Sequence, residues 1–383
     1  MLIVADKNIP LIESMYESLA DIRLIDGYSI SYRDVREADI LLVRSVTRID
    51  RNILEGSNVR YIGTVTSGYD HVDLEYLSSK GIKSAFASGC NSNSVAEYIV
   101  AAILVLCRRF GLDPGKMTLG VIGIGNIGSK VVNKATALGM NVLQNDPPLH
   151  RKTRDSRFLP IDDLIGADII TLHVPLTYRG EDATYHLFDK KRIAAMKPGS
   201  ILINTSRGRV VNSGSLRNAL NSGHLRTAVL DVWENEPEID NCLLSMCAIG
   251  TPHIAGYSVE GKTNGAWIIY QAVCEHLNVS PAWNPAGKLP LPIVSGIRID
   301  KTDPDHSELL GGIVRKCYDI EKDDSKLREV LQMNPENSKN YFHKLRADYP
   351  VRREFKATSI EVPKSRDALA RCLEGIGFTV VKI

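Results

Sequence analysis

The chain has 383 residues, with 47 basic and 45 acidic side chains and a formal net charge of +2 at neutral pH. That length exceeds what one hydrophobic core usually spans, so two or three domains are expected. The near balance of charge, without a basic tract, argues against nucleic acid or a charged membrane surface as the main partner.

The first ten residues, MLIVADKNIP, contain no basic region followed by a long apolar stretch. No signal peptide is therefore predicted, and the chain is expected in the cytoplasm. The most apolar stretch, Tyr98 to Cys107, is too short to span a bilayer and predicts a buried helix. The seven cysteines are scattered without a CxxC pair, which favours reduced thiols and argues against a structural metal.

Short β-branched runs alternate with amphipathic stretches from the first residues to about Asn278. This pattern predicts parallel strands joined by helices, an α/β protein. The segments EADILLVRS, around Asp39, and GADIITLHV, around Asp168, each place Ala-Asp before an apolar strand, which suggests two related α/β domains. The prolines of PAWNPAGKLPLP predict a linker, and the closing strand, helix and strand predict a separate small domain.

The sequence GVIGIGNIGSK places Gly123, Gly125 and Gly128 between an apolar strand and a helix-like stretch. In a βαβ unit the first glycine permits a tight turn, the second lets backbone approach a pyrophosphate, and the third lets helix and strand pack closely. The next strand ends at Asp146, whose carboxylate can accept hydrogen bonds from ribose hydroxyls and would repel a 2′-phosphate. The segment therefore predicts NAD binding, with a glycine-rich corner as the alternative for the glycines alone.

Three later strand ends carry polar residues of complementary chemistry. SILINTSRGRVV turns through Arg207, TAVLDVWENEP presents Glu236, and AIGTPHIAGYS carries His253. Hydride removal from a hydroxyl carbon requires a base for the hydroxyl proton, and histidine suits that task. Glu236 can hold the histidine tautomer, and Arg207 can bind a substrate carboxylate in two places. Taken singly, each also has a structural explanation: a surface arginine, a solvated acidic loop and a structural histidine.

In this order, GxGxxG, NTSRGRVV, LDVWENEP and TPHIAG resemble the D-2-hydroxyacid dehydrogenase family, from Met1 to about Asn278. The resemblance implies an α/β fold with two Rossmann-like doubly wound parallel-sheet domains, one for substrate (a lid) and one for NAD. A closer similarity to one branch of the family runs to the end of the chain and implies, in addition, a small α+β C-terminal domain that makes a homodimer. The implied boundaries are 1–93 with 257–283 for the lid, 94–256 for the NAD-binding domain and 284–383 for the dimerisation domain.

The resemblance also implies roles for single residues. The implied catalytic residues are His253, Arg207 and Glu236. The implied NAD-binding residues are Gly123, Gly125, Asn126, Ile127, Gly128, Asp146, Val174, Thr205, Ser206, Arg207, Asp231 and Gly256. The implied substrate-binding residues are Ser45, Thr66 and Tyr257, and no metal is implied. Ser206 and Val174 depart from the residues common in the family, but both can contact a cofactor through backbone. His71 and His173 are expected to be structural.

A closer similarity to one branch of the family includes LLVRSVTRID, GTVTSGYDHVD, HIAGYSVEGK and the C-terminal YDIEKDDSKLRE. It implies that the substrate is a small phosphorylated hydroxy acid, 4-phospho-D-erythronate, oxidised in pyridoxal 5′-phosphate biosynthesis. The alternatives are a sibling enzyme for 3-phosphoglycerate, glyoxylate or hydroxypyruvate, and a non-enzymatic NAD-sensing protein on the same fold. Candidates for binding the phosphate are Arg44, Arg48 and, from a partner subunit, Arg346 and Arg352.

Overall fold

The computed structural model describes residues 1–285, 287–300 and 306–383, with side chains from residue 308 onward in the last range. These residues form two compact units. Unit 1 is Met1–Asn91 with Ser258–Pro290, and unit 2 is Ser92–Tyr257 with Leu291–Ile383. One residue of the predicted linker, Ala286, lies outside the described residues.

The secondary structure alternates between strands and helices, as predicted. The strands are β1 (Leu2–Asp6), β2 (Asp21–Ile25), β3 (Ile40–Val43), β4 (Tyr61–Thr64), β5 (Lys83–Phe86), β6 (Thr118–Ile122), β7 (Asn141–Asn145), β8 (Ile169–Leu172), β9 (Ile201–Asn204), β10 (Thr227–Leu230), β11 (Ile249–Gly250), β12 (Gly296–Arg298), β13 (Ser359–Val362) and β14 (Thr379–Lys382). The α-helices are α1 (Ile12–Tyr16), α2 (Tyr32–Val35), α3 (Arg51–Leu54), α4 (Leu74–Lys80), α5 (Ser92–Phe110), α6 (Gly128–Ala137), α7 (Pro147–Thr153), α8 (Ile161–Leu164), α9 (Lys190–Ala195), α10 (Ser213–Asn221), α11 (Asn241–Met246), α12 (Val259–His276), α13 (His306–Cys317), α14 (Ile320–Arg328), α15 (Pro335–Ala347) and α16 (Asp367–Ile376).

Unit 1 contains a five-stranded sheet in the order β2-β1-β3-β4-β5, and every pair in it is parallel. Alternate strand residues enter two apolar cores, one on each face of the sheet. Val4 and Leu41 lie in one core, whereas Ile3 and Leu42 lie in the other, where α12 also packs. A sheet covered on both faces is the usual arrangement for parallel strands, because their helical connections cross the faces.

Unit 2 contains a six-stranded parallel sheet in the order β7-β6-β8-β9-β10-β11 and a small parallel sheet, β12-β13-β14. The two larger sheets confirm the predicted α/β class with doubly wound parallel sheets. The apolar stretch Tyr98–Cys107 is part of α5 and is almost wholly buried, as expected. The predicted strand, helix and strand at the chain end are β13, α16 and β14.

The repeated Ala-Asp before a strand has one structural role in both units. Asp39 accepts a hydrogen bond from Leu2 N through its carboxylate (2.8 Å) and donates its own N–H to Leu2 O (2.9 Å). Asp168 makes the same two contacts with Thr118, at 2.8 and 3.0 Å. Each aspartate therefore fixes the start of the neighbouring strand, and the repeated sequence reflects a repeated sheet construction.

The C-terminal segment, residues 291–383, shares the cores of unit 2. Residues of α13 and α16 enter the core formed by α5 and α6, and residues of α14 and α15 enter the core on the opposite face of the sheet. Polar contacts also join the segment to α5 and α6: Lys134 of α6 donates to Ile376 O, and Asn93 of α5 donates to Glu354 (2.7 Å). The predicted boundaries, 1–93 with 257–283 for the lid, 94–256 for the NAD-binding domain and 284–383 for the dimerisation domain, stay predictions.

Candidate active site

The glycine turn joins β6 to α6 and meets the steric demands assigned to each glycine. Gly123 has φ of +88°, and a Cβ there would lie 2.7 Å from His173 O. A Cβ on Gly128 would lie 1.9 Å from Gly123 O, so helix and turn are in close contact. A Cβ on Gly125 would meet no atom within 4 Å. The turn thus keeps open space beside Gly125, next to the N-terminus of α6, which suits a pyrophosphate.

Asp146 follows β7 and lies against this turn. Its Oδ2 accepts a hydrogen bond from Ile124 N (2.8 Å), and its Oδ1 accepts one from Leu149 N (3.0 Å), which caps α7. The side chain is partly exposed, so one carboxylate both shapes the glycine turn and faces outward beside it. This arrangement fits the adenosine ribose of NAD.

Asn204 organises the turn that carries Arg207. Its Oδ1 accepts hydrogen bonds from the N–H (3.0 Å) and the hydroxyl (2.8 Å) of Ser206, and its Nδ2 donates to Arg207 O (2.9 Å). The guanidinium donates to Ser206 O (2.8 Å). A Cβ on Gly208 would lie 2.0 Å from Trp233 O. Glycine at 208 therefore allows the Arg207 turn to lie directly against the loop that carries Glu236.

His253 and Glu236 form the pair that the sequence predicted. His253 Nδ1 lies 2.8 Å from Glu236 Oε2, and Glu236 Oε1 accepts a hydrogen bond from Trp233 N (2.8 Å). Burial raises the pKa of Glu236, but the charge of His253 and these hydrogen bonds outweigh burial and hold that pKa below its ordinary value. The carboxylate is therefore ionised at neutral pH and suited to orienting the imidazole.

Asp231, the residue after β10, holds the loop that carries His253. Its carboxylate accepts hydrogen bonds from Thr251 Oγ1 (2.6 Å), Ile254 N (2.7 Å) and Ala255 N (2.9 Å), and its carbonyl accepts one from His253 N (2.7 Å). Burial raises the pKa of Asp231, because its effect exceeds that of the His253 charge and of these hydrogen bonds, which lower the pKa. The aspartate thus determines the local backbone on both sides of His253, whose φ is +58°.

Two other histidines make hydrogen bonds with threonine hydroxyls. Burial lowers the pKa of His173 to about 3, so this ring is neutral in the physiological range, and its Nε2 lies 3.0 Å from Thr171 Oγ1. In unit 1, His71 Nε2 lies 3.0 Å from Thr64 Oγ1. A further histidine, His186, pairs with Glu234 at 2.6 Å near the Arg207 turn. Sequence reasoning missed that pair, because its members are 48 residues apart.

The candidate substrate-binding residues fall in both units. In unit 1, Ser45 is exposed just after β3, and Thr66 Oγ1 donates to Gly68 O (3.1 Å). In unit 2, Tyr257 lies four residues after His253, and its phenol oxygen accepts a hydrogen bond from Arg346 Nη2 (3.1 Å). The remaining cofactor candidates, Val174, Thr205, Ser206 and Gly256, lie in loops that follow strands of the unit 2 sheet.

The phosphate candidates have distinct partners. Arg44 donates to the buried carboxylate of Asp6 at 2.7 and 3.3 Å, and the exposed Arg48 donates to Asp50 at 3.0 Å. Arg352 donates to Ala255 O at 3.1 Å within its own chain. The sequence offered Arg346 and Arg352 only as residues of a partner subunit. No sequence signal links them to a loop about ninety residues away.

Among the described residues, no helix has the length and hydropathy needed to cross a bilayer. Within the same ranges, no group of three or more His, Cys, Asp or Glu side chains is placed to hold a metal ion. All seven cysteines are free.

Comparison with known proteins identifies relatives along the whole chain. The family described as "D-isomer specific 2-hydroxyacid dehydrogenase, NAD binding domain" matches residues 106–255, and a "Domain of unknown function (DUF3410)" matches residues 289–377. The chain is 41% identical over 383 residues to erythronate-4-phosphate dehydrogenase of Pseudomonas fluorescens SBW25, with all of both chains covered. It is 40% identical to the enzyme of the same name from Marinobacter nauticus, with 99% of each chain covered.

Solved structures give the same picture for part of the chain. NAD-dependent formate dehydrogenase from Staphylococcus aureus, in complex with NAD, matches with a TM-score of 0.62 and 26% identity. D-lactate dehydrogenase from Aquifex aeolicus, with NAD and lactic acid, matches with a TM-score of 0.59 and 25% identity. In each case 73% of this chain and 96% of the other chain are covered. About a quarter of this chain therefore has no counterpart in these two structures.

Proposed function

The chain belongs to the D-2-hydroxyacid dehydrogenase family, within the group of erythronate-4-phosphate dehydrogenases, and we propose from this premise that it oxidises 4-phospho-D-erythronate with NAD. The product is 2-oxo-3-hydroxy-4-phosphobutanoate, and the reaction is a step of pyridoxal 5′-phosphate biosynthesis. The observation that carries the proposal is the 2.8 Å contact of His253 with Glu236, in the same unit as the glycine turn.

His253 is the acid and base of the reaction. Since Nδ1 is engaged by Glu236, Nε2 is the nitrogen that takes the proton of the C2 hydroxyl. The ionised carboxylate of Glu236 then stabilises the imidazolium. Loss of this proton from oxygen and of a hydride from C2 converts the alcohol carbon into a carbonyl, so the substrate loses two electrons and two hydrogens.

Arg207 binds and polarises the substrate. Its guanidinium can donate two hydrogen bonds to the C1 carboxylate, which fixes C2 relative to His253, and its charge stabilises the carbonyl that develops at C2. The side-chain amide of Asn204 holds the Arg207 turn in shape, and Gly208 allows that turn to lie against the Glu236 loop. Ser45, Thr66 and Tyr257 are proposed as further substrate contacts.

The glycine turn, Asp146 and the loops after β8, β9 and β10 fit NAD. Open space at Gly125 admits the pyrophosphate, and Asp146 is placed for a ribose hydroxyl. NAD, when bound, supplies the acceptor for the hydride that leaves C2. We propose the contacts of Asn126, Ile127, Val174, Thr205, Ser206, Asp231 and Gly256 on the same basis.

The proposal includes two statements about the protein in the cell. We propose that residues 284–383 form the contact of a homodimer, and that the enzyme works in the cytoplasm. The second rests on the seven free cysteines, which suit a reducing compartment.

The test is a comparison of substrates. Purified protein with NAD would be given 4-phospho-D-erythronate, D-erythronate, 3-phosphoglycerate or glycerate, each with and without a 2-oxo acid that can regenerate NAD. The proposal expects the highest kcat/KM for 4-phospho-D-erythronate. Equal or better oxidation of 3-phosphoglycerate would identify a sibling enzyme, and binding of NAD without any turnover would support the sensing function instead.

A further inference from the structure

Residues 253–257, which we call the His253 loop, are held from two sides by side chains. On one side, the buried carboxylate of Asp231 accepts hydrogen bonds from Ile254 N (2.7 Å) and Ala255 N (2.9 Å). On the other side, Arg352 donates to Ala255 O (3.1 Å) from within the same chain. Both polar backbone groups of Ala255 are therefore fixed, two residues after the proposed base.

Arg352 makes this contact from a fixed position. The residue is 4% exposed, and its Nη2 donates to Ser94 O of α5 (2.7 Å). Its guanidinium carbon lies 3.7 Å from the centroid of the Tyr318 ring, and the Tyr318 hydroxyl donates to Asp323 (3.2 Å). A buried guanidinium between carbonyl oxygens and an aromatic face has little freedom to move. Arg352 thus joins α5, the C-terminal segment and the His253 loop.

The backbone of His253 depends on such support. Its φ of +58° lies in the left-handed region, which a residue with a Cβ adopts only where its surroundings hold it there. From this position the imidazole reaches Glu236, with Nδ1 2.8 Å from Oε2. A displacement of a catalytic group by about 1 Å can lower a rate roughly 10²-fold. The rate of proton transfer therefore depends on the backbone of the loop as well as on the imidazole.

We propose that Arg352 is a positioning residue for the acid–base step. By holding Ala255 O, it keeps the His253 loop on Asp231 and the imidazole of His253 directed at Glu236 and the C2 hydroxyl. The C-terminal segment thereby supports catalysis in cis, through the backbone of the loop and without touching the substrate. The inference rests on the proposed function, because it takes His253 as the base.

Arg328, the last residue of α14, provides a matched control. It also donates to two carbonyl oxygens of unit 2, Leu244 O (3.1 Å) and Cys247 O (2.7 Å), and it pairs with the buried Asp324 at 2.9 Å. These carbonyls belong to α11 and the residue after it. Loss of Arg328 therefore removes similar hydrogen bonds between the C-terminal segment and unit 2 without touching the His253 loop.

The test is a double-mutant cycle on kcat, measured at saturating NAD and substrate. Arg352→Gln is expected to lower kcat roughly 10- to 100-fold when His253 is present. In the His253→Asn background the same substitution should lower kcat less than about threefold, since the group it positions is gone. Arg328→Gln should lower kcat less than about threefold in both backgrounds. Thermal unfolding verifies that each variant folds.

Equal fold-losses from Arg352→Gln in the two backgrounds would overturn the proposal, because an arginine that only stabilises unit 2 affects both alike. An equal loss from Arg328→Gln would overturn it too. If Arg352→Gln does not fold, Arg352→Lys takes its place in the cycle. Lysine keeps the charge but lacks the planar fork for two carbonyls, so a smaller loss of roughly 3- to 30-fold is expected.

A second measurement does not depend on catalysis. Amide hydrogen exchange, followed by mass spectrometry of peptides that cover the His253 loop, should become roughly tenfold faster or more at Ile254 and Ala255 in the Arg352 variant. Arg328→Gln should leave it near wild type, and unchanged exchange in the Arg352 variant would overturn the proposal. If the wild type prefers another 2-hydroxy acid, the proposed substrate is wrong. The cycle is then run with that acid and still decides the role of Arg352.

Discussion

The two units of this protein contain sheets with the same strand order, but the two sheets differ at the end of the first strand. Unit 1 has the order β2-β1-β3-β4-β5, and unit 2 repeats that order as β7-β6-β8-β9-β10, with β11 added. In unit 2 the first strand leads into the glycine turn. In unit 1 it ends at Asp6, whose buried carboxylate is hydrogen-bonded to Arg44.

This difference separates what the fold contributes to dinucleotide binding from what the loop after the first strand contributes. Both sheets bring several strand ends to one edge, where loops can form a site. The loop after β6 combines a left-handed glycine, a glycine with open space around it and a glycine in contact with the turn, whereas residues 7–10, directly after β1, include no glycine. Topology therefore provides the place, and the residues of the loop decide whether a dinucleotide can use it.

The largest expected effect contrasts the two His–Glu pairs of unit 2. His253→Asn removes the proposed base and should lower kcat/KM roughly 10²- to 10⁴-fold. His186→Asn alters a pair of similar geometry, at 2.6 Å, that has no proposed catalytic role, and it should change kcat/KM by less than about fivefold. Steady-state kinetics of both variants, with circular dichroism to verify folding, make the comparison. Similar losses for both would remove the distinction between the pairs.

The second largest loss of kcat/KM is expected for a variant of Arg207. Arg207→Ala is expected to lower kcat/KM roughly 10²- to 10³-fold, because a preorganised donor to the developing carbonyl is lost. Arg207 is also an implied NAD contact, so NAD affinity, measured by titration in the absence of substrate, should fall as well, but by a smaller factor than kcat/KM. Wild-type turnover in the variant would show that the substrate carboxylate is bound elsewhere.

Substitutions in the glycine turn should have smaller effects. One should weaken NAD binding, and the other should lower the stability of unit 2. Gly125→Val places a side chain in the open space and should weaken NAD binding roughly tenfold or more while leaving the melting temperature close to wild type. Gly128→Ala places its Cβ 1.9 Å from Gly123 O and should destabilise unit 2 by about 2 kcal/mol or more. Calorimetry for NAD binding and thermal unfolding for stability separate the two. A large loss of stability in Gly125→Val would refute the assignment of open space.

The smallest effect on NAD is expected in unit 1. Asp6→Asn leaves Arg44 without its buried carboxylate and should lower stability by about 2 kcal/mol. It should leave NAD affinity within about twofold of wild type, since the end of the first strand in unit 1 is not part of the dinucleotide site. A strong loss of NAD affinity would contradict the division of roles between the two sheets.

Much of this architecture could be predicted from local sequence. The glycine spacing and the strand before it predict the glycine turn after β6. Each glycine is required there by the backbone conformation or by the space around it, and the neighbouring sequence indicates both. Asp39 and Asp168 predict a repeated construction for the same reason. Complementary chemistry was enough to pair His253 with Glu236, although their 17-residue separation placed no geometric constraint on them.

The contacts that sequence could not predict are long-range ones. Arg346 and Arg352 lie 89 and 97 residues from the groups they meet in the His253 loop. Whether an arginine reaches such a loop depends on how α13 to α16 pack on the cores of unit 2, and no local pattern encodes that packing. Asn204 was visible as a strand end, but its role in bracing the Arg207 turn required the tertiary structure.

The most direct test of the central claim is transfer of label from C2 of the substrate. 4-Phospho-D-erythronate carrying deuterium at C2 would be incubated with the protein and NAD, and the reduced cofactor would be analysed by mass spectrometry. We expect one deuterium in the reduced cofactor with the wild type and a greatly reduced rate of the same transfer with His253→Asn. Reduced cofactor without deuterium, or none formed at all, would contradict the account.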